Sequence, residues 1–250
     1  AMAMDLGAFT RVFYAFRERE TINDIMEETC GARLTMNYIG PGGVMYDIHP
    51  NFQKRVKEFI ALFKSKIHEY DELVTGNIIF INRMKGVGFL SKEDAVSFGC
   101  TGPAGRGSGL SCDIRKLYPY AVYDKMQFDE ILETDCDSLA RYMVRLREMK
   151  QSIRIIEQLI DNIPEGDFQA KTKAVLKLPK GEFYTRVETA RGELGVYIVS
   201  EGATTPYRIK FRSPGFSNLS ALDTMARGGK LGDLVAMMGT LDLVIPDIDR

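Results

Sequence analysis

One arginine in the sequence is placed where a cation could bind or orient a ligand. Arg191 opens the run Arg-Gly-Glu-Leu-Gly (residues 191–195), which lies between two segments with strand-like alternation. A turn at this position presents the guanidinium at the end of a hairpin, where it can contact an anion or a carbonyl oxygen. A solvated turn arginine fits the pattern equally well, so both interpretations stay open.

The C-terminal segment carries carboxylates in an apolar context. Residues 241–250 read LDLVIPDIDR, with acids at Asp242, Asp247 and Asp249. Chain ends are usually polar and frayed, so this composition predicts a tail that packs into the body of the protein. Buried carboxylates need partners, and Arg191 and Arg250 are the candidates.

The sequence lacks the spacing patterns of common metal and nucleotide sites. Its four cysteines include no Cys-x-x-Cys pair, and it has only two histidines, His49 and His68. We therefore expect reduced, structural thiols and no metal bound by this chain. Residues 85–109 are rich in glycine, but no Gly-Lys-Ser/Thr follows and no hydrophobic strand leads into a Gly-x-Gly-x-x-Gly. Close backbone packing or tight turns explain these glycines better than phosphate binding.

Composition excludes several classes of protein. The 250 residues include 33 Lys+Arg and 34 Asp+Glu, for a net charge of −1, which removes the electrostatic case for nucleic-acid binding. No run of 18 apolar residues is present to span a membrane, and the N-terminus lacks the basic segment of a signal peptide. With 45% hydrophobic residues, the chain can bury a substantial core.

Hydrophobic periodicity predicts helices followed by a small sheet and further helices. We expect helices over about 1–28, ended by Gly31, over 51–73, capped by Asn51, and over 137–163. A period of two then predicts three short strands. The order favours a mainly α, α+β fold. The predicted strands are 183–188, 195–200 and 207–212, and the last predicted helices are about 218–227 and 231–241.

Short sequence blocks spread along the chain carry a family resemblance. They are Met4–Thr10, Tyr14–Glu20, Asn37-Tyr38 with Gly42-Gly43-Val44, Gly86-Val87-Gly88, Ser108-Gly109, Asp113-x-Arg115-Lys116, Ala190–Gly195 and the ending Asp249-Arg250. In type and order these blocks resemble the 49-kDa (D-type) subunit of NADH-quinone oxidoreductase, which is respiratory complex I. The resemblance runs from the first residues to the last, which is more specific than any single motif.

The resemblance implies a fold and an evolutionary relationship for the chain. The family is related to the large subunit of nickel–iron hydrogenases, which implies a helical hydrogenase-like body with a small antiparallel sheet near residues 181–212. Hydrogenases bind nickel through Cys-x-x-Cys pairs, and Val244 and Asp247 stand where the second pair of thiolates would be. Valine cannot bind a metal. Residues 1–250 are expected to be the C-terminal portion of the family domain, with its N-terminal part missing.

The resemblance also implies the residues of a quinone site. Asp5 matches an acid that hydrogen-bonds a quinone-site histidine, and Arg191 matches a basic residue lining the cavity; these are the expected catalytic residues. The expected quinone-binding residues are Phe16, Asp242, Val244 and Arg250. The family's quinone-binding histidine and tyrosine have no counterpart in this sequence, and the 250-residue chain alone is expected to be inactive.

Two positions depart from the family pattern. Many members have a histidine near the terminal 4Fe-4S cluster of the partner subunit and an arginine five residues later, where this sequence has Thr35 and Gly40. Without an ionisable partner, the potential of that cluster is expected to shift little with pH. A low-potential acceptor such as menaquinone would suit this change.

The resemblance also implies partner subunits, a substrate and a cellular location for the chain. The partners would be the cluster-bearing B-type subunit, the C-type and I-type subunits and the H-type subunit of the membrane arm, with NADH bound by another subunit and quinone as substrate. The chain would lie peripherally on the cytoplasmic side of the bacterial inner membrane and couple quinone reduction to ion translocation. Two alternatives stay open: a purely structural scaffold between the cluster-bearing subunit and the membrane arm, or a hydrogenase-type subunit that receives electrons from ferredoxin.

Overall fold

The computed structural model describes residues 2–173 and 175–249, which form a mainly helical molecule with two small antiparallel sheets. This confirms the expected mainly α, α+β class. The helices are α1 (Met2–Asp5), α2 (Phe9–Cys30), α3 (Phe52–Tyr70), α4 (Ile78–Met84), α5 (Lys92–Ser97), α6 (Gly102–Arg106), α7 (Ile114–Leu117), α8 (Ser138–Ile160), α9 (Pro214–Ser220), α10 (Leu222–Ala226), α11 (Leu231–Leu241) and α12 (Ile245–Ile248). The strands are β1 (Ile39–Gly40), β2 (Gly43–Val44), β3 (Gly181–Thr189), β4 (Gly192–Ser200) and β5 (Arg208–Arg212).

The first helical segment is broken, so the expectation of one helix over residues 1–28 is wrong. Gly7, between α1 and α2, has a φ of +90°, which lies outside the α-helical region. This change of direction allows α1 to pack against α11. Gly31 ends α2 as predicted: its φ is +74° and its N–H donates to the Glu27 carbonyl at 2.9 Å.

An aliphatic core joins α2, α3 and α8. The apolar face of α3 is confirmed, but the Asn51 cap is wrong, because its backbone is already helical and its side chain makes no capping hydrogen bond. A π-helical turn, Asp71–Thr75, then extends α3. α8 begins where predicted and ends at Ile160, before the predicted Ile163. The buried residues of this core are Ile25, Val56, Ile60, Ile67, Leu146, Ile153 and Ile160.

The glycine-rich segment contains two short helices, α5 and α6, that the glycine pattern did not predict. α6 is buried beneath α8, and a side chain on Gly107 would start 3.1 Å from the backbone nitrogen of Arg141. The close-packing interpretation of these glycines is therefore confirmed at this position. A second core surrounds α6 and includes Leu90, Ala95, Cys100, Ala104, Ala221, Met225, Met237 and Leu241.

The three predicted strands are confirmed, with β3 and β4 longer than expected. They form an antiparallel sheet in the order β3-β4-β5, and Thr189 pairs with Gly192 across a two-residue turn at 190–191. The helix predicted over 218–227 is instead two helices, α9 and α10, and α12 was not predicted. α11 matches its predicted bounds. Within residues 2–173 and 175–249, no helix is both long and apolar enough to cross a membrane.

Candidate functional site

Arg191 and Asp242, far apart in sequence, lie in contact in the fold. The turn between β3 and β4 carries Arg191, whose Nε donates to the main-chain oxygen of Asp242 at 2.9 Å. Its Nη2 lies 3.4 Å from the Asp242 carboxylate oxygen Oδ1. Both side chains keep about a third of their surface exposed, 33% and 39%. This pairing is the contact expected for a tail that packs into the body.

Close contacts with residues distant in sequence hold the Arg191 turn in place. Gly102, at the start of α6, has a φ of +65°, and a Cβ there would lie 2.5 Å from the Arg191 carbonyl oxygen. The Asn218 side chain of α9 donates to the same oxygen at 3.3 Å. The Thr101 hydroxyl accepts the N–H of Glu193 at 3.0 Å. The turn is therefore fixed by α6 on one side and α9 on the other.

The C-terminal segment is held by its own contacts. Asp242 ends α11 in the left-handed conformation, with φ of 56° and ψ of 53°, which turns the chain back toward Arg191. Val244 is half-buried just before α12. The Asp247 carboxylate accepts the hydroxyl of Ser213 at 2.6 Å and so ties α12 to the start of α9.

A cavity of about 390 Å³, which we call the charged cavity, opens beside Asp242 and is lined by residues of α8 and β3. At its wall the Arg106 guanidinium, 2% exposed, lies 2.8 Å from the Glu188 carboxylate and 2.7 Å from the Glu148 carboxylate. Burial raises the pKa of Glu188, against the opposing pull of Arg106. The charged lining residues are Arg106, Arg115, Arg145, Glu148, Glu188 and Asp242.

Sequence reasoning missed the burial of Arg141 and the partial burial of Arg145, two arginines of α8 of which only Arg145 lines the charged cavity. Arg141 is fully buried and donates to the carbonyl of Gly88 at 2.8 Å, and burial lowers its pKa to about 9. Burial also lowers the pKa of Arg145 to about 10, against the attraction of Asp242. Both guanidinium groups remain protonated at neutral pH. The sequence signal that could have indicated their inward position is their spacing of four residues along α8, beside the apolar stripe of that helix.

The remaining predicted site residues lie elsewhere or have other surroundings. Asp5 is exposed at the end of α1, where its carboxylate faces Gly239 of α11. Phe16 is 50% exposed on α2, with the Arg19 guanidinium 5.2 Å from its ring centre. Thr35 is exposed at φ 52°, and its hydroxyl donates to the Leu34 carbonyl. Arg250 lies outside the described residues.

The described residues offer no preformed metal centre. No group of three or more His, Cys, Asp or Glu side chains within 2–173 and 175–249 is arranged to hold a metal ion. Burial raises the pKa of Cys100 to about 11 and that of Cys112 to about 12, so both thiols stay protonated near neutral pH. The absence of a bound metal stays a prediction.

The fold and this site define a helical protein with an arginine–aspartate pair at the edge of a charged, ligand-sized cavity. The family described as "Respiratory-chain NADH dehydrogenase, 49 Kd subunit" matches residues 5–178 and 168–250, and the chain belongs to this family. The expected family is thereby confirmed.

Curated relatives extend this similarity over the whole chain. A protein from Bacteroides thetaiotaomicron, named as the C/D-type subunit of NADH-quinone oxidoreductase, is 58% identical over 250 residues, covering 100% of this chain and 47% of the relative. A D-type subunit of NADH-quinone oxidoreductase from Solibacter usitatus is 47% identical over 99% of this chain and 67% of its own length. The D-type subunit from Desulforamulus reducens is 45% identical over 100% of this chain and 68% of its own. The chain thus spans about half the length of the Bacteroides relative.

Proposed function

We propose that this chain contributes to the quinone-binding chamber of an NADH:quinone oxidoreductase, with Arg191 and Asp242 at the chamber wall. The observation that carries the proposal is the contact between these two residues beside the charged cavity. Membership of the 49-kDa family supports the same assignment. In this role, the chain is one subunit of an enzyme complex and binds quinone as substrate.

The chemistry of the pair suits a ligand with a carbonyl oxygen. Asp242 accepts from one edge of the Arg191 guanidinium, so the cation is oriented without being fully neutralised. A partly exposed guanidinium can donate to a quinone oxygen and stabilise the negative charge that develops there on reduction. The carboxylate of Asp242 is a group that can exchange a proton with the reduced ring.

The test is to make Arg191→Met and Asp242→Asn in the assembled complex. We expect normal assembly with quinone reductase activity lowered about tenfold or more, since losing a charge-assisted hydrogen bond costs ~1.5–3 kcal/mol. The measurement is turnover with a short-chain quinone, beside electron transfer to an acceptor that bypasses the quinone site. The matched control is Arg227→Met, which removes an arginine from an exposed Arg–Asp pair at the end of α10.

Unchanged quinone turnover in both variants would contradict the proposal and favour a purely structural scaffold. The scaffold alternative predicts instead that a variant lowers quinone turnover only when it impairs assembly of the complex. A hydrogenase-type subunit fed by ferredoxin is disfavoured because Val244 and Asp247 replace thiolates. Finding stoichiometric nickel bound to the folded complex would support the hydrogenase-type alternative.

The proposal extends to the other expected residues. Asp5 would orient a quinone-site histidine, and Phe16, Val244 and Arg250 would line the chamber. The partners would be the B-type, C-type, I-type and H-type subunits, with the 4Fe-4S cluster on the B-type subunit and NADH on a further subunit. The chain would lie on the cytoplasmic side of the bacterial inner membrane and couple the reaction to ion translocation.

Thr35 carries a separate prediction about the cluster of the partner subunit. A threonine hydroxyl does not titrate near neutral pH, so the cluster potential should change little with pH, as suits menaquinone. The measurement is a redox titration by electron paramagnetic resonance at several pH values. A slope near ~59 mV per pH unit, the value for one proton per electron, would contradict it.

A further inference from the structure

The sheet formed by β3, β4 and β5 ends in a strand whose outer side is unpaired. β5 pairs with β4 and, within residues 2–173 and 175–249, with no other strand. The first four residues of this strand, 208–211, are all exposed. An exposed edge strand presents backbone N–H and C=O groups that can pair with an added strand. β5 is therefore a surface where an extended segment of another chain can bind by continuing the sheet.

One face of β5 is cationic. Arg208, Lys210 and Arg212 stand at every second position of the strand and so project from the same face of the sheet. The Arg212 guanidinium is engaged within the fold, since it donates to the carbonyls of Glu193 and Gly99, both at 2.6 Å. Arg208 and Lys210 make no hydrogen bond or ion pair in the described part of the chain, and they line a cavity of about 460 Å³. These two cations are available to a partner.

The opposite face of β5 is apolar. Ile209 pairs with Ile198 of β4 and Phe211 with Val196, and Phe183 of β3 extends the same face. The side chains of Ile209, Phe211 and Phe183 stay 40–46% exposed. A strand added beside β5 would place alternate side chains against cations on one face and against apolar groups on the other. A complementary segment therefore has acidic and apolar residues in alternation.

The acids on the cationic face of the sheet lie on β3 and β4, away from the open edge. Glu182 accepts the hydroxyl of Tyr197 at 2.6 Å, and Glu193 accepts that of Tyr184 at 2.9 Å. A flat anionic membrane would meet these carboxylates together with the cations, whereas a strand beside β5 meets the cations first. A second copy of this chain paired through β5 would set like charges opposite each other, which is unfavourable. The charge pattern thus favours an acidic segment of a different protein.

We propose that β5 is a docking edge for an extended segment of a partner protein, in which acidic residues alternate with apolar ones and which joins the sheet as a fourth strand. Its acidic side chains pair with Arg208 and Lys210, and its apolar side chains pack on Ile209 and Phe211. Backbone hydrogen bonds supply affinity, and the alternation supplies specificity. Neither cation lines the charged cavity, so this edge is separate from the proposed quinone site.

The experiment measures the binding of a fluorescent seven-residue peptide of alternating Glu and Val to the 250-residue chain by fluorescence anisotropy. We expect Arg208→Glu combined with Lys210→Glu to weaken binding about tenfold or more, because attractive pairs become like-charge pairs. A scrambled peptide of the same composition should bind about fivefold more weakly, since it cannot sort its side chains between the two faces. The matched control is Lys125→Glu combined with Lys150→Glu, the same charge change at two exposed lysines outside the sheet.

A neutral double variant, Arg208→Gln with Lys210→Gln, keeps the inference testable if charge reversal disturbs the fold. We expect it to weaken binding by a smaller factor while the circular dichroism spectrum stays that of the unmodified chain. A peptide N-methylated on its central amides lacks the backbone donors for strand addition and should bind about tenfold more weakly.

Two results would overturn the inference. One is equal binding of the plain and N-methylated peptides, or equal loss in the charge-reversed and control variants. The other is that vesicles containing phosphatidylglycerol bind through Arg208 and Lys210 while the peptide does not, which would assign the edge to a membrane surface instead. Neither result bears on Arg191→Met, so the proposed function stands or falls separately.

Discussion

At the scale of single residues, the position of Arg191 depends on a glycine that makes no chemical contribution of its own. Gly102 adopts φ +65° and meets the Arg191 carbonyl oxygen, so a methyl group there must push the turn away. We expect Gly102→Ala to lower quinone turnover toward the level of Arg191→Met and to reduce thermal stability. Turnover and thermal inactivation of the assembled complex measure the two effects.

The control for this prediction separates crowding from backbone strain. Gly228 has a similar φ of +77°, but nothing lies within 4 Å of the position its Cβ would take. Gly228→Ala should therefore cost only the left-handed strain, about 1 kcal/mol, and leave turnover unchanged. Equal losses of turnover in the two variants would show that the contact with Arg191 is unimportant.

At the scale of elements, the start of α8 links that helix to the glycine-rich segment. The Asp137 carboxylate, on a residue 4% exposed, accepts the N–H of Ala140 at 2.8 Å and that of Gly86 at 2.7 Å. Asp137→Ala removes both acceptors, so we expect a loss of about 2 kcal/mol in the free energy of unfolding. Denaturant unfolding of the purified chain, followed by circular dichroism, measures the loss.

Asp135 provides the matched control, because it is an exposed aspartate two residues before the cap. Asp135→Ala should change the free energy of unfolding by less than about 0.5 kcal/mol. A loss at Asp137 no larger than that at Asp135 would mean that the cap contributes nothing to the anchoring of α8.

At the scale of the whole molecule, Arg106 connects three elements that carry the site. It belongs to α6 and pairs with Glu148 of α8 and Glu188 of β3. Replacing it by methionine would leave two carboxylates without their cation in a largely buried place. We expect Arg106→Met to lower the free energy of unfolding by about 3–5 kcal/mol, measured by denaturant titration.

An exposed pair between two helices supplies the comparison. Lys64 of α3 contacts Glu157 of α8 at 2.6 Å, with both side chains about half exposed. Lys64→Met should cost less than about 1 kcal/mol, because water solvates the carboxylate that remains. The double variant Arg106→Met with Glu188→Leu should recover part of the loss, since it removes one of the unpaired charges. No recovery would show that packing, and not charge, sets the cost.

Local features of this protein follow from short stretches of its sequence. Strand alternation and turn residues located β3, β4 and β5, helical spacing located α3, α8 and α11, and Gly31 marked the end of α2. These features depend on neighbouring residues, so they can be predicted without long-range contacts. The break at Gly7 accompanies the packing of α1 on α11, a contact between segments far apart in the sequence, so local periodicity does not predict it.

Which charged side chains come into contact depends on how the elements pack in three dimensions. The sequence named Arg191 and Asp242 as candidates but left Arg250 as an equal partner, and the fold brought Arg191 to Asp242. It also buried Arg106 and Arg141 and half-buried Arg145, all three of which resemble surface arginines in sequence. The physical reason is that burial of a charge depends on all the elements packed around it, whereas composition and periodicity report only on the residues nearby in the chain.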